Sequence, residues 1–199
     1  TFSGAINYVT RKPDKELSGR LEGTVGSDDM RRGTAVISGP LSDKLSGRLA
    51  FSYDDANGTY RNAGPAGAGD PLGGSTDKSV LAVLRFEPSE SSSIPLTGFF
   101  NDTFGQTRAL SRVANNCGQF NAMAGSFTSI ELNNPVYFCG EIPATPADSL
   151  SLSADAYGWD GETVRGSLDI QYDFDRFSVQ SITSYTDSKN LAKTDLDRT

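Results

Sequence analysis

The chain has 199 residues, 36% of them hydrophobic and 10% aromatic, with 21 Gly and with 18 cations against 25 carboxylates for a formal charge of −7. That acidic balance excludes a nucleic-acid partner, because neutralising phosphates takes a surplus of Lys and Arg. The sequence has no His, which removes the usual zinc constellations and the base of the common Ser and Cys nucleophile arrangements. No metal, no cofactor and no catalytic residue is expected, and the protein reads as a non-enzyme.

The first element is "SGAINYVTRKP", Ser3 to Pro13, in which Ala5, Asn7 and Val9 alternate with Ile6, Tyr8 and Thr10 before Pro13 ends the run. It reads as a strand. A secretory leader would need a basic start, an apolar core and a small-residue cleavage site, so the chain is expected to enter in mid-strand. "ELSGRLEGTVGS" follows, with Leu17, Gly19, Leu21, Gly23 and Val25 on one face and Ser18, Arg20, Glu22 and Thr24 on the other. After the polar hinge "SDDMRRG", a second strand "GTAVISGPLS" is expected to stop at Gly39-Pro40. The third, "LSGRLAFSYDD", sets Leu45, Gly47, Leu49, Phe51 and Tyr53 against Ser46, Arg48, Ala50, Ser52 and Asp54. Its likeness to the first is two strands obeying one rule, since no third copy appears at that period.

A Gly-rich loop spans about 55–77; its "GAGDPLGG" lacks the Lys-Ser/Thr ending of a phosphate loop. "KSVLAVLRFE" is the fourth strand and "IPLTGFFNDTFGQTRAL" the fifth. From about 111 to 161 no period is sustained, and a connection of that length is functional or disordered. This segment holds Cys117 and Cys139, a disulfide pair if the compartment is oxidising. The last two strands are "TVRGSLDIQYDF", with Val164, Gly166, Leu168, Ile170 and Tyr172 opposed to Arg165, Ser167, Asp169, Gln171 and Asp173, and, past a tight "DFDR" turn, "FSVQSITSYTD".

No window is long and apolar enough for a spanning helix, but a spanning barrel strand needs only about 9–11 residues with one apolar face. Tight turns at one end and long loops at the other, with Tyr53, Phe86, Tyr172, Phe174, Phe177 and Tyr185 as candidates for interfacial girdles, fit an antiparallel transmembrane β-barrel meander. A secreted or surface β-sandwich that binds carbohydrate through its loop aromatics is the alternative, since it would alternate as well.

Two stretches carry a family likeness. "SGAINYVTRKP" resembles the end of the plug domain in TonB-dependent outer-membrane receptors, and "VISGPLSDKLSGRLAFSYDDANGTYRN" resembles the early barrel of that family, with Gly39-Pro40-Leu41 at a periplasmic turn. The resemblance implies an all-β chain, with residues 1–13 the last plug strand and 14–199 about seven strands of a partial barrel. It implies a bacterial outer-membrane location and uptake of a scarce solute, a ferric siderophore first and a carbohydrate next. Its partners would be the energy-coupling protein TonB, membrane lipid and that solute. For such a transporter the loops are where binding sits, which singles out Tyr60, Arg61, Asn62, Phe120, Tyr137, Phe138, Tyr157 and Trp159. Arg20, Glu22, Arg48, Arg165 and Asp169 are expected to face the wet lumen, pairing with one another or with the plug.

Overall fold

The computed structural model describes residues 10–64, 69–106, 140–141, 144 and 158–193. They form nine strands: β1 (Ser18–Val25), β2 (Arg31–Ser42), β3 (Leu45–Ala56), the two-residue β4 (Tyr60–Arg61) and β5 (Pro71–Leu72), then β6 (Ser75–Ser89), β7 (Ser92–Gln106), β8 (Gly158–Asp173) and β9 (Ser178–Lys193). The seven long strands make one antiparallel sheet in the order β1-β2-β3-β6-β7-β8-β9, so each pairs with the next long strand of the sequence. This is the expected meander. β4 and β5 form a separate small hairpin inside the loop between β3 and β6.

The register explains the alternating pattern. Directly opposed residues of antiparallel strands share a face, and the pairs Leu21 with Ala35, Ala35 with Phe51, Phe51 with Val80, Val80 with Phe100 and Phe100 with Val164 chain the apolar positions into one surface. The opposite surface carries Arg20, Ser38, Arg48, Asn101, Arg165 and Gln171. Among the described residues neither surface is covered by a second layer. Among the described residues only Leu72 and Val83 are buried hydrophobics, while Leu21, Ile37, Leu49, Leu96 and Ile170 on the apolar surface are all exposed. A sandwich buries its apolar faces against each other, and here the second sheet among the described residues is a pair of two-residue strands. The sandwich alternative has no support in this architecture. β1 and β9 are exposed along their whole length and do not pair with each other.

Three sequence expectations are corrected. β2 does not stop at Gly39-Pro40 but runs to Ser42, with a register shift between Pro40 and Ser42; a bulge accommodates the proline, which has no N–H to give the ladder. The Gly-rich loop is not featureless. Its β4–β5 hairpin is stitched by Asn62 N–H to Asp70 O at 2.8 Å and Gly69 N–H to Asn62 O at 2.7 Å. Gly58 allows the close approach, since a Cβ there would sit 1.6 Å from Leu72 O. Tyr185 is not at a strand end, for it stands opposite Gly166 in the middle of β9, whereas Phe86, Tyr172, Phe174 and Phe177 do gather at the short-turn end. Of the expected plug strand, residues 10–13 are described and carry no strand, and the remainder lies outside the described residues.

Candidate functional site

Every charged residue predicted to face the lumen falls on the polar surface. Register sets Arg20 opposite Val36, Glu22 opposite Thr34, Arg48 opposite Ser38, Arg165 opposite Phe99 and Asp169 opposite Ile182. Arg20 and Glu22, two residues apart on one strand, form an ion pair. Asp169 accepts from the Gln180 amide at 2.9 and 3.0 Å across to β9. Arg32 pairs with Asp54, its direct cross-strand neighbour. Thus much of this surface is a ladder of paired polar groups.

The most connected residue here is one the sequence reading did not single out. Asp14, the first residue past Pro13, lies on the approach to β1. Its N–H donates to Ser38 Oγ at 2.8 Å, the Ser18 hydroxyl donates to its Oδ2 at 2.6 Å, and Arg11 reaches its Oδ1 at 3.1 Å. Arg48 Nη1 stands 3.6 Å from Oδ2. Ser38 is 1% exposed, because the approach segment closes over it. The Ser18 hydroxyl above all, with Ser38 and Arg11 adding to it, holds the Asp14 carboxyl below its ordinary pKa. On the same segment Leu17 crosses β2 so closely that a Cβ on Gly39 would lie 2.8 Å from Leu17 Cα. Together these contacts strap the residues before β1 to the sheet. They also wall a cleft of about 270 Å³, lined by Arg11, Asp14, Arg20, Glu22 and Arg48. The available sequence signal was a lone acid between Pro13 and a strand start, which nothing distinguishes from a solvated turn acid.

The loop residues separate. Tyr60 is half-buried opposite Leu72 in the small hairpin, Arg61 is exposed, and Asn62 is buried with its side-chain oxygen accepting from Gly64 N–H at 2.9 Å. Asn62 therefore shapes the loop from inside. The hairpin is tied to β7 by Gln106, whose N–H donates to Gly74 O at 2.8 Å while its Oε1 accepts from Gly74 N–H at 2.9 Å. Trp159 lies next to this tie, opposite Gly105 on the polar surface. Its indole occupies the space a side chain at Gly105 would need, with Nε1 2.0 Å from a Cβ placed there. Hence Trp159, Gln106 and the hairpin stand together at the long-loop end of the sheet, with Trp159 on its polar surface. Phe120, Tyr137, Phe138, Tyr157, Cys117 and Cys139 lie outside the described residues.

Two pairs of adjacent acids, Asp28-Asp29 and Asp54-Asp55, make structural contacts. Asp28 and Asp29 adopt positive φ in the β1–β2 turn, and Asp29 accepts from the Asn57 amide at 2.9 Å. Asp55 accepts from the Thr76 hydroxyl at 2.6 Å. Among the described residues no group of three His, Cys, Asp or Glu is placed to hold a metal.

Among the described residues, an unclosed single-layer antiparallel sheet with one exposed apolar face, one polar face and short turns at one end has the pattern of an outer-membrane β-barrel. No family model matches the chain. Over 90 residues, 44% of its length, it is 36% identical to the pesticin receptors of Yersinia pestis and Yersinia enterocolitica. The crystal structure of the ferric yersiniabactin uptake receptor from Yersinia pestis shares its fold, with a TM-score of 0.64 at 20% identity over 91% of this chain. The chain spans 13% of the length of those relatives and 24% of that solved chain. Over those 90 residues the chain is similar in sequence to outer-membrane receptors of the TonB-dependent kind, and its sheet has the fold of such a receptor's barrel.

Proposed function

We propose that this chain belongs to a receptor that takes up a scarce solute across the outer membrane, a ferric siderophore in the first instance, with energy delivered from the periplasm through TonB. The polar surface, with Arg20, Glu22, Arg48, Arg165 and Asp169, is the lumen wall. The end bearing Trp159, Tyr60 and Arg61 is the extracellular mouth where solute is captured, and residues 1–13 close the plug. The receptor moves its solute without catalytic chemistry of its own. The observation that carries this reading is the division of one unlayered sheet into an exposed apolar face and a polar, charge-laddered face, which a soluble domain has no means to keep in water. That one protein of the same fold is a ferric yersiniabactin uptake receptor supports a ferric cargo.

The test is uptake by a bacterium depleted of its own receptors and expressing the complete receptor. Iron-55 carried by a panel of siderophores should accumulate, and accumulation should cease on deletion of TonB. Energy-independent accumulation, or none with any siderophore while a carbohydrate is taken up, would overturn the coupling or the cargo respectively.

A further inference from the structure

Toward its long-loop end the apolar face gives way to charge. Lys78, Asp102, Glu162 and Lys189 stand directly opposite one another on β6, β7, β8 and β9, all exposed and all on the apolar surface. The line does not hold itself together. Asp102 faces Glu162, a like-charged pair that disfavours pairing, and none of the four forms an ion pair among the described residues. One step toward the short turns, the next positions are Val80, Phe100 and Val164 on β6 to β8, while on β9 the acid Asp187 extends the charge by one step. At the opposite end of the face, the rings of Tyr172 and Phe174 lie 4.5 Å apart and those of Phe174 and Phe177 stack at 4.6 Å.

We infer that this line marks the level at which bilayer hydrocarbon ends and polar headgroups begin, with the Tyr172–Phe174–Phe177 cluster at the other boundary. The inference rests on the membrane-barrel reading above and adds its depth. Glu162 and Tyr172 are ten residues apart on β8. At ~3.3 Å per residue that is about 33 Å along the strand, and a strand tilt of ~40° projects it to about 25 Å, the height of the apolar band of an outer-membrane barrel. The edge of the apolar face also drifts as a plane cutting tilted strands must. It lies beyond Tyr53, at Asp55, on β3, at Lys78, Asp102 and Glu162 on β6 to β8, and nearer the short turns at Asp187 on β9. Headgroups meet the lysines and carboxylates there, and Tyr53, opposite Lys78, sits where an amphipathic ring is favoured.

The experiment places lysine along β8 in the complete receptor refolded into phospholipid vesicles and reads the urea midpoint of unfolding. Leu168→Lys should lower the midpoint most, Val164→Lys less and Glu162→Lys scarcely at all, while Ser167→Lys on the polar face should leave it near wild type. Should Leu168→Lys fail to refold, Leu168→Ser keeps the ordering readable. A Glu162→Lys loss as large as that at Leu168 would overturn the boundary and leave the membrane reading standing. Indifference at Leu168, with Ser167 affected instead, would sink both.

Discussion

Asp14 joins four groups, Arg11, Ser18, Ser38 and Arg48, that belong to the approach segment, β1, β2 and β3. Its carboxylate accepts from the Ser18 hydroxyl and the Arg11 guanidinium and lies within ion-pair distance of Arg48, whereas its own N–H donates to Ser38. Asp14→Asn keeps the backbone bond and weakens the rest, so amide exchange over residues 10–17 should quicken while β6 to β8 stay protected; unchanged exchange would show that Ser38 and the Leu17 crossing suffice. The pH dependence has a definite sign. A carboxyl whose folded pKa is lowered stabilises the fold above its ordinary value and loses that contribution as pH falls through the lowered one. Protection of the strap should be level from neutral pH to about pH 4 and fall below it, and the Asn variant should lack that step. At the mouth, Gly105→Ala must displace the Trp159 indole. Trp159 is the only tryptophan in the chain, so its emission should shift to longer wavelength if the ring is turned out to water; an unshifted spectrum would mean that the backbone yields instead.

Single strands carry their meaning through period two. Val36 and Ile37 are neighbours on β2, yet Val36 faces Arg20 and Ala50 on the polar surface while Ile37 faces Gly19 and Leu49 on the apolar one. Lysine at Ile37 should therefore cost about 2–4 kcal/mol in a bilayer if it lies near the midplane, and lysine at Val36 should stay within about 1 kcal/mol. Equal costs, measured by unfolding of the complete receptor in vesicles, would mean that the register of β2 is misplaced, since a one-residue slip exchanges the two faces. Much of this was legible beforehand. In "RGSLDIQY" the alternation of Gly166, Leu168 and Ile170 with Ser167, Asp169 and Gln171 states the strand and its two faces at once. The Pro40 bulge was not legible, because a proline in a one-dimensional pattern signals a stop, and only the partner strand shows whether the missing N–H was needed. The β4–β5 hairpin escaped for a similar reason: two-residue strands set no period, and their stability comes from Asn62 and the tie at Gln106.

At the scale of the molecule, a single sheet that among the described residues has two unpaired edges and an exposed apolar face has no means of satisfying itself in water. The 199-residue chain produced alone is expected to self-associate in aqueous buffer and to disperse in detergent micelles, a difference that sedimentation velocity would read directly. A monodisperse soluble monomer would contradict the exposure of the apolar face. The same architecture separates what the sequence determined from what it left open. Alternation fixed strand identity, the antiparallel meander and the membership of each face, because side-chain direction in a strand is a local property with a two-residue period. It also brought Arg20, Glu22, Arg48, Arg165 and Asp169 to one surface before any partner was known. Only the tertiary structure decided which strands face which residues, and hence the strap at Asp14, the indole over Gly105 and the line from Lys78 to Lys189. Each of these depends on contacts between residues twenty or more positions apart, and a pattern read along the chain has no term that relates them.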